Sequence, residues 1–175
     1  LGAGLMINDS LYQGVSGIAG ELGHTLQRSE YGDLCRCGNR GCLETVVSTP
    51  AVMRLLEPHL GILHDFAEVI ERIEAGDPLT GRVMAQTGRH IGVAVANLVN
   101  LLNPQRVIIG GELSSAGDAL LRPISQMVHS YAIPSAAERV EIVLSELGKR
   151  SEVIGAAMIA WSKQNVQLSN VLHSA

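Results

Sequence analysis

Three cysteines and a histidine crowded into one short stretch restrict what this chain can fold into more than any other feature. Cys35, Cys37 and Cys42 fall within eight positions, and His24 stands eleven residues before the first of them. Three thiolates and one imidazole are the ligand set of a closed tetrahedral zinc site. The competing readings are three buried thiols, or a disulfide with one thiol left over. A bridge across Cys35-x-Cys37 would be strained, and an odd, clustered count cannot be fully paired within one chain. Gly38 and Gly41 allow the turns that a ligand loop requires. Four protein ligands leave no position for water, so the expected role is structural rather than catalytic. Metal-bound thiolates imply a reducing compartment, hence the cytoplasm.

Two carboxylates bracket this set, Glu21 just before His24 and Glu44 just after Cys42. A carboxylate accepts from two vicinal hydroxyls, and charge-assisted bonds are the stronger kind. The metal is therefore expected to shape a floor on which Glu21, His24 and Glu44 hold a polyol. The alternative is a pair of ordinary surface carboxylates. Glu44 sits where a helix starts, and negative charge is favourable there whatever it binds. Gly14, Gly17, Gly20 and Gly23 recur every three residues. That repeat reads either as backbone packed against a ligand or as tight turns with positive φ.

At 175 residues the chain suits one domain, or a lobe of a larger protein, and can bury a core. A hydrophobic content of 46% argues against disorder. Net charge of −4, with one Trp, three Tyr and one Phe, offers neither a basic footprint nor a stacking platform for nucleic acid. The apolar stretch 91–102 contains Asn97 and Asn100 and is too short to span a bilayer. No signal peptide is visible, so no membrane contact is expected. Leu1 rather than Met opens the sequence, as expected of a trimmed chain.

Along the chain, Asn8-Asp9 between two short apolar runs predicts a β-hairpin over residues 4–14. His24 to Gln27 reads as a strand and residues 28–43 as a loop. Residues 44–57 read as a helix with Pro50 near its start and Val52 and Leu56 on one face. Phe66, Val69, Ile70 and Ile73 give a further helix ending at Gly76. Asp77-Pro78 caps a long one running to about Asn103, with Val83, Ile91, Val95, Leu98 and Leu102 as its apolar ladder. The small residues Gly92, Ala94 and Ala96 would let neighbouring elements approach closely. Residues 106–109 are a continuous apolar run, as in a buried strand. Helix follows over 116–131 with a restart or kink at Pro123, and a second strand at 140–144 implies a right-handed parallel crossover. Ser151 is placed to cap a last helix carrying Ile154, Met158 and Trp161, before a polar tail over about 162–175.

Taken together, these motifs resemble the ROK family, which contains bacterial sugar kinases and sugar-responsive repressors. The resemblance runs through Gly14-x-x-Gly17-x-x-Gly20-Glu21-x-Gly23-His24 and Cys35-x-Cys37-Gly38-x-x-Gly41-Cys42-x-Glu44. It continues through Asn103-Pro104 and Gly110-Gly111 to Gly155-Ala156-Ala157. It implies an α/β fold: residues 1–175 as the C-terminal lobe of an actin-like, ribonuclease-H-like architecture, with a structural zinc loop at about 24–44. In that family the histidine matching His24 binds zinc through one ring nitrogen and can meet the sugar with the other. The glutamates matching Glu21 and Glu44 contact sugar hydroxyls.

In the family's kinases the region matching Gly110 and Gly111 lies against the adenine nucleotide, commonly with a third glycine. Here Glu112 follows, adding negative charge near the polyphosphate path, which is a poor way to receive ATP. Glu112-Leu113 and Leu147-Gly148-Lys149-Arg150 look more like the repressor branch. The expectation is therefore the effector-binding lobe of a repressor, a regulator rather than an enzyme. Its ligand would be a small sugar or sugar phosphate, and it would touch DNA only through a segment absent from these residues. The alternative is the C-terminal lobe of an ATP- and Mg²⁺-dependent sugar kinase, glucokinase-like, whose catalytic aspartate would also lie upstream. A zinc-stapled interaction module without a small ligand is a third reading. Family members usually form dimers, so a homodimer or higher homo-oligomer is expected. The resemblance gives His59, His64, His90, His129 and His173 no role.

Overall fold

Asn8 and Asp9 turn the chain as their residue types dictate. In the computed structural model, which describes residues 1–27 and 32–172, they take φ of 50° and 59°. A two-residue hairpin turn needs such a left-handed pair, and short polar side chains tolerate it. The flanking strands β1 (Leu5–Ile7) and β2 (Ser10–Tyr12) pair antiparallel, with Leu5 opposite Tyr12 and Ile7 opposite Ser10.

The glycine repeat divides between its two readings. Gly14, Gly17 and Gly20 have positive φ, whereas Gly23 does not. A Cβ at Gly20 would collide with the Ala3 carbonyl, and one at Gly23 with the Leu1 carbonyl; the latter would also sit 3.1 Å from Glu44 Oε2. The strand expected from His24 to Gln27 is reduced to one bridging residue, Leu26, opposite Cys42. Residues Leu22–His24 instead form a 3₁₀ turn. Thr25 closes it, its backbone N–H and its hydroxyl both donating to the Leu22 carbonyl, at 3.1 and 2.7 Å. Of the loop expected over 28–43, residues 28–31 lie outside the described residues, as does His173.

The helix expected over 44–57 is two helices, α1 (Glu44–Val47) and α2 (Thr49–Leu60), with Ser48 extended between them at ψ 153°. Pro50 explains the break: in a continuous helix its ring would meet the Val46 carbonyl. Val52 and Leu56 are buried as the periodicity requires. Helix α3 (Ala67–Glu74) buries Val69 beside Phe66 and gives way to Gly76 at φ 76°.

Helix α4 (Pro78–Leu102), the longest helix among the described residues, runs through the centre of the packing. Asp77 caps it, accepting from the Thr80 backbone N–H and hydroxyl, both at 2.7 Å. Those donors hold the Asp77 carboxyl below the usual range. Asn103 ends the helix in a left-handed conformation just before Pro104. The buried stripe is displaced from the expected ladder. Ile91 and Val95 are inside, Val83 and Leu98 are half-buried, Leu102 is exposed, and Met84 and Val99 are fully buried. Small residues set that displacement, because the neighbouring helix approaches over Gly88 and Gly92.

That neighbour, α5 (Asp118–Tyr131), follows strand β3 (Arg106–Ile109) and a 3₁₀ turn at Glu112–Ala116. It neither restarts nor breaks at Pro123, which is buried against Gly88. After α6 (Pro134–Ala137), strand β4 (Glu141–Leu144) returns parallel to β3, with Arg106 opposite Glu141 and Ile109 opposite Leu144. The expected burial of β3 is corrected: Val107 and Ile109 pack on the core, while Ile108 is 62% exposed. Among the described residues, the face of this sheet that carries Val107, Ile109 and Ile142 packs on the core. Helix α7 (Ser151–Leu172) takes in most of the segment expected as a polar tail. Ser151 begins this helix, its hydroxyl donating back to Gly148 O at 2.6 Å, and Met158 and Trp161 on it are exposed. Among the described residues no helix is long and apolar enough to cross a membrane.

The α4–α5 contact yields a direct test. A Cβ at Gly92 would lie 2.7 Å from Met127 Cβ and 2.8 Å from Ile124 O. Alanine gains about 1 kcal/mol in helix propensity, whereas overpacking costs about 1–3 kcal/mol. Gly92→Ala is therefore expected to lower the thermal midpoint despite the better helix former. A raised midpoint would mean that the two helices separate at little cost.

Candidate functional site

The cysteine loop is built by its own backbone. Cys35 N–H donates to Asn39 O at 2.7 Å, Gly38 N–H to Cys35 O at 2.9 Å, and Gly41 N–H to Asp33 O at 3.0 Å. Gly38 sits at φ 93°, in the left-handed region glycine favours. Gln27 and Leu43 then tie residues 25–27 to 41–43, which carries Cys42 beneath the His24 turn. Cys35 and Cys42 are buried and Cys37 is exposed.

This folding brings the four sequence-predicted ligands together. One donor atom from each of His24, Cys35, Cys37 and Cys42 lies within 4.8 Å of the other three. Cys35 Sγ is 3.6 Å from His24 Nδ1, and Cys37 Sγ is 3.6 Å from Cys42 Sγ. Burial, reinforced by the adjoining Cys37 and Cys35 thiols, pushes the Cys42 thiol up to about 12. The Asn39 backbone N–H pulls Cys37 the other way. Burial makes Cys42 unfavourable as a thiolate until a cation joins it. The cluster can hold a metal ion.

The imidazole faces two ways. With Nδ1 turned to the thiols, Nε2 lies 3.6 Å from Glu21 Oε2 and 3.9 Å from Glu44 Oε2. The Glu21 side chain is 58% exposed and that of Glu44 15%. Glu44 also opens α1, so the alternative role of a carboxylate in a helix's first turn holds alongside any other. Its second oxygen, Oε1, receives Arg36 Nη2 at 3.0 Å, and Oε2 lies 3.2 Å from the Leu1 amino nitrogen. Arg36 escaped the sequence reading. The signal for it was its seat between Cys35 and Cys37, which carries any side chain there to the rim of the cluster. Gly110 and Gly111 belong to another segment, the turn after β3. There Gly111 has φ 78° and Glu112, exposed, opens the 3₁₀ turn.

This two-faced histidine, with thiols on one side and carboxylates on the other, meets its family at the level of the whole chain. A profile of the ROK family matches residues 1–163, and the chain belongs to the ROK family. Its mixed α/β content is consistent with an actin-like sugar kinase fold. Among curated relatives, a glucokinase of Halalkalibacterium halodurans is 35% identical over 94% of this chain and 54% of its own length. The DNA-binding transcriptional repressor Mlc of Escherichia coli is 31% identical over 96% of this chain and 43% of its own. Of solved structures, a ROK glucokinase from Streptomyces griseus, in complex with glucose and AMPPNP, superposes with TM-score 0.78 at 28% identity. That match covers 90% of this chain and 56% of the other. A ROK transcriptional regulator homologous to Escherichia coli Mlc gives TM-score 0.75 at 32% identity, over 82% of this chain and 38% of its own. The chain thus spans about half the length of the curated relatives it matches.

Proposed function

We propose that this chain is the sugar-binding lobe of a ROK transcriptional regulator. In this reading zinc sits among His24 Nδ1 and the thiolates of Cys35, Cys37 and Cys42. A sugar or sugar phosphate lies against Glu21, Glu44 and His24 Nε2. One observation carries the reading: a single imidazole turns Nδ1 to the thiols and Nε2 to two carboxylates. Zinc suits the donor set. Tetrahedral bonds of about 2.3 Å to sulfur and about 2.0–2.1 Å to nitrogen give S···N edges of about 3.6 Å and S···S edges of about 3.8 Å. The Cys35–His24 and Cys37–Cys42 separations, both 3.6 Å, are compatible with those edges. A closed four-ligand set leaves the ion structural, where it fixes the tautomer and orientation of His24 before ligand arrives.

Glu21 and Glu44 then accept from sugar hydroxyls, and Nε2 supplies the third polar group. Regulation requires that the sugar bind one conformation of the full-length protein better than the other, and so shift its DNA affinity. DNA would be read by a segment outside these residues, in a homodimer or larger homo-oligomer in the cytoplasm. Glu112, directly after Gly111, supports the regulator reading because it adds negative charge where a nucleotide polyphosphate would lie.

The 35% identity to a glucokinase favours the second reading, an ATP- and Mg²⁺-dependent sugar kinase using Gly110 and Gly111 at the nucleotide. Full-length protein given ATP, Mg²⁺ and a panel of D-glucose, N-acetyl-D-glucosamine and D-xylose separates the two. The regulator reading expects no sugar-dependent ADP release, and operator DNA affinity that changes with one of the sugars. Sugar-dependent turnover would overturn it in favour of the kinase.

A further inference from the structure

The cysteine loop reaches the carboxylate pair by a second arm besides His24. Arg36 is carried between Cys35 and Cys37, and its Nη2 lies 3.0 Å from Glu44 Oε1. The other oxygen of the same carboxylate, Oε2, is the one that faces His24 Nε2 at 3.9 Å, across from Glu21 Oε2 at 3.6 Å. From this division of the two oxygens we infer that Arg36 is the positioning residue of Glu44. It holds Oε1, which sets Oε2, beside His24 Nε2 and the Leu1 amino nitrogen, toward the ligand side. The inference rests on the reading that Glu21, His24 and Glu44 bind a sugar, and it deepens that reading.

Two physical needs converge on this residue. Glu21 and Glu44 bring like charge to one imidazole nitrogen, and the guanidinium of Arg36 sets a positive charge directly against Glu44. A carboxylate free to rotate would also offer a hydroxyl either oxygen in several orientations, whereas one anchored at Oε1 is fixed before binding. The Arg36 side chain is 78% exposed and that of Glu44 only 15%, so the arginine leans in from solvent onto a mostly buried acid. Its own base is fixed by the flanking ligand residues. Closure of the metal loop and orientation of the sugar-binding acid are thereby joined through one side chain. Exposure on the arginine side keeps the effect moderate.

The test is Arg36→Gln in the full-length protein, with Arg36→Lys and Glu44→Gln beside it. Calorimetry uses whichever of D-glucose, N-acetyl-D-glucosamine and D-xylose the unmodified protein binds. Arg36→Gln is expected to keep its zinc content and its thermal midpoint while binding the sugar about fivefold more weakly. Lysine should restore part of the loss, since it keeps the charge without the planar fork. In the Glu44→Gln background Arg36→Gln should add nothing. Arg36→Gln binding like the unmodified protein, with Glu44→Gln defective, overturns the positioning role and leaves the sugar site intact. Unchanged affinity in Glu44→Gln removes the sugar site, and the inference falls with it. A crystal structure of metal-loaded Arg36→Gln decides independently of any sugar: a displaced Glu44 carboxylate supports the role, and an unmoved one overturns it.

Discussion

Under the proposed function, stripping zinc from the full-length protein with a strong chelator is expected to abolish sugar binding while leaving most helical structure in place. Structural zinc binding is worth about 10–16 kcal/mol in small peptides, of the order of a whole domain's stability, about 5–15 kcal/mol. Apart from its backbone hydrogen bonds little else holds the loop. Of residues 33–40 only Cys35 is buried, and the apolar core begins at Leu43 and lies among the helices that follow. Loss should therefore be local. Far-UV circular dichroism should change little, while trypsin should gain cleavage after the exposed Arg36 and Arg40. Glu44 loses both its Arg36 contact and the imidazole beside it, so sugar affinity should fall with metal content. Cys42→Ser should reproduce the whole pattern without chelator. Re-metallation should weaken as pH falls, because protons compete with the ion for the thiols and imidazole. A chelated protein that keeps its sugar affinity and resists trypsin in the loop would show that the carboxylates are ordered without the metal.

The features legible in the sequence were those governed by short-range geometry. Asn8-Asp9 demands a tight turn, Asp77-Pro78 caps a helix, and Asn103 before Pro104 stops one, whatever surrounds them. Likewise Cys35, Cys37 and Cys42, with two glycines to bend the chain, need only a local loop to converge. The misreadings share the opposite property. The stripe on α4 is displaced because α5 settles over Gly88 and Gly92, and periodicity favours large residues over small ones as the inside of a helix. Ile108 is exposed because the burial of a strand depends on which faces its neighbours cover. Ser48 breaks a helix through a ring clash at Pro50 that apolar spacing does not register. Arg36 was missed for a tertiary reason, since its seat between two cysteines is local but its partner Glu44 is met only in the folded loop. The conformation of the glycine repeat followed the same rule: Gly20 is required by the Ala3 carbonyl, a contact made across the fold.

Glu21→Ala is expected to weaken sugar binding by roughly 10- to 150-fold, the range for a hydrogen bond to a charged group of about 1.5–3 kcal/mol. The fold should barely respond. Glu21 is mostly exposed, and its contact with His24 Nε2 spans 3.6 Å, the kind of surface contact worth about 0–1 kcal/mol. Glu44→Gln should weaken binding at least as much by a different route. The amide keeps the shape but loses the charge that Arg36 and a sugar hydroxyl both use, and it offers one acceptor oxygen in place of two. A structural role alone would predict the reverse pattern. Glu44, opening α1 and largely covered, would then lower the thermal midpoint when neutralised, and Glu21 would change nothing. Calorimetry on both variants, read beside their melting temperatures and zinc contents, separates the two. Full sugar affinity in Glu21→Ala and Glu44→Gln alike would return both carboxylates to the surface and leave His24 a metal ligand only.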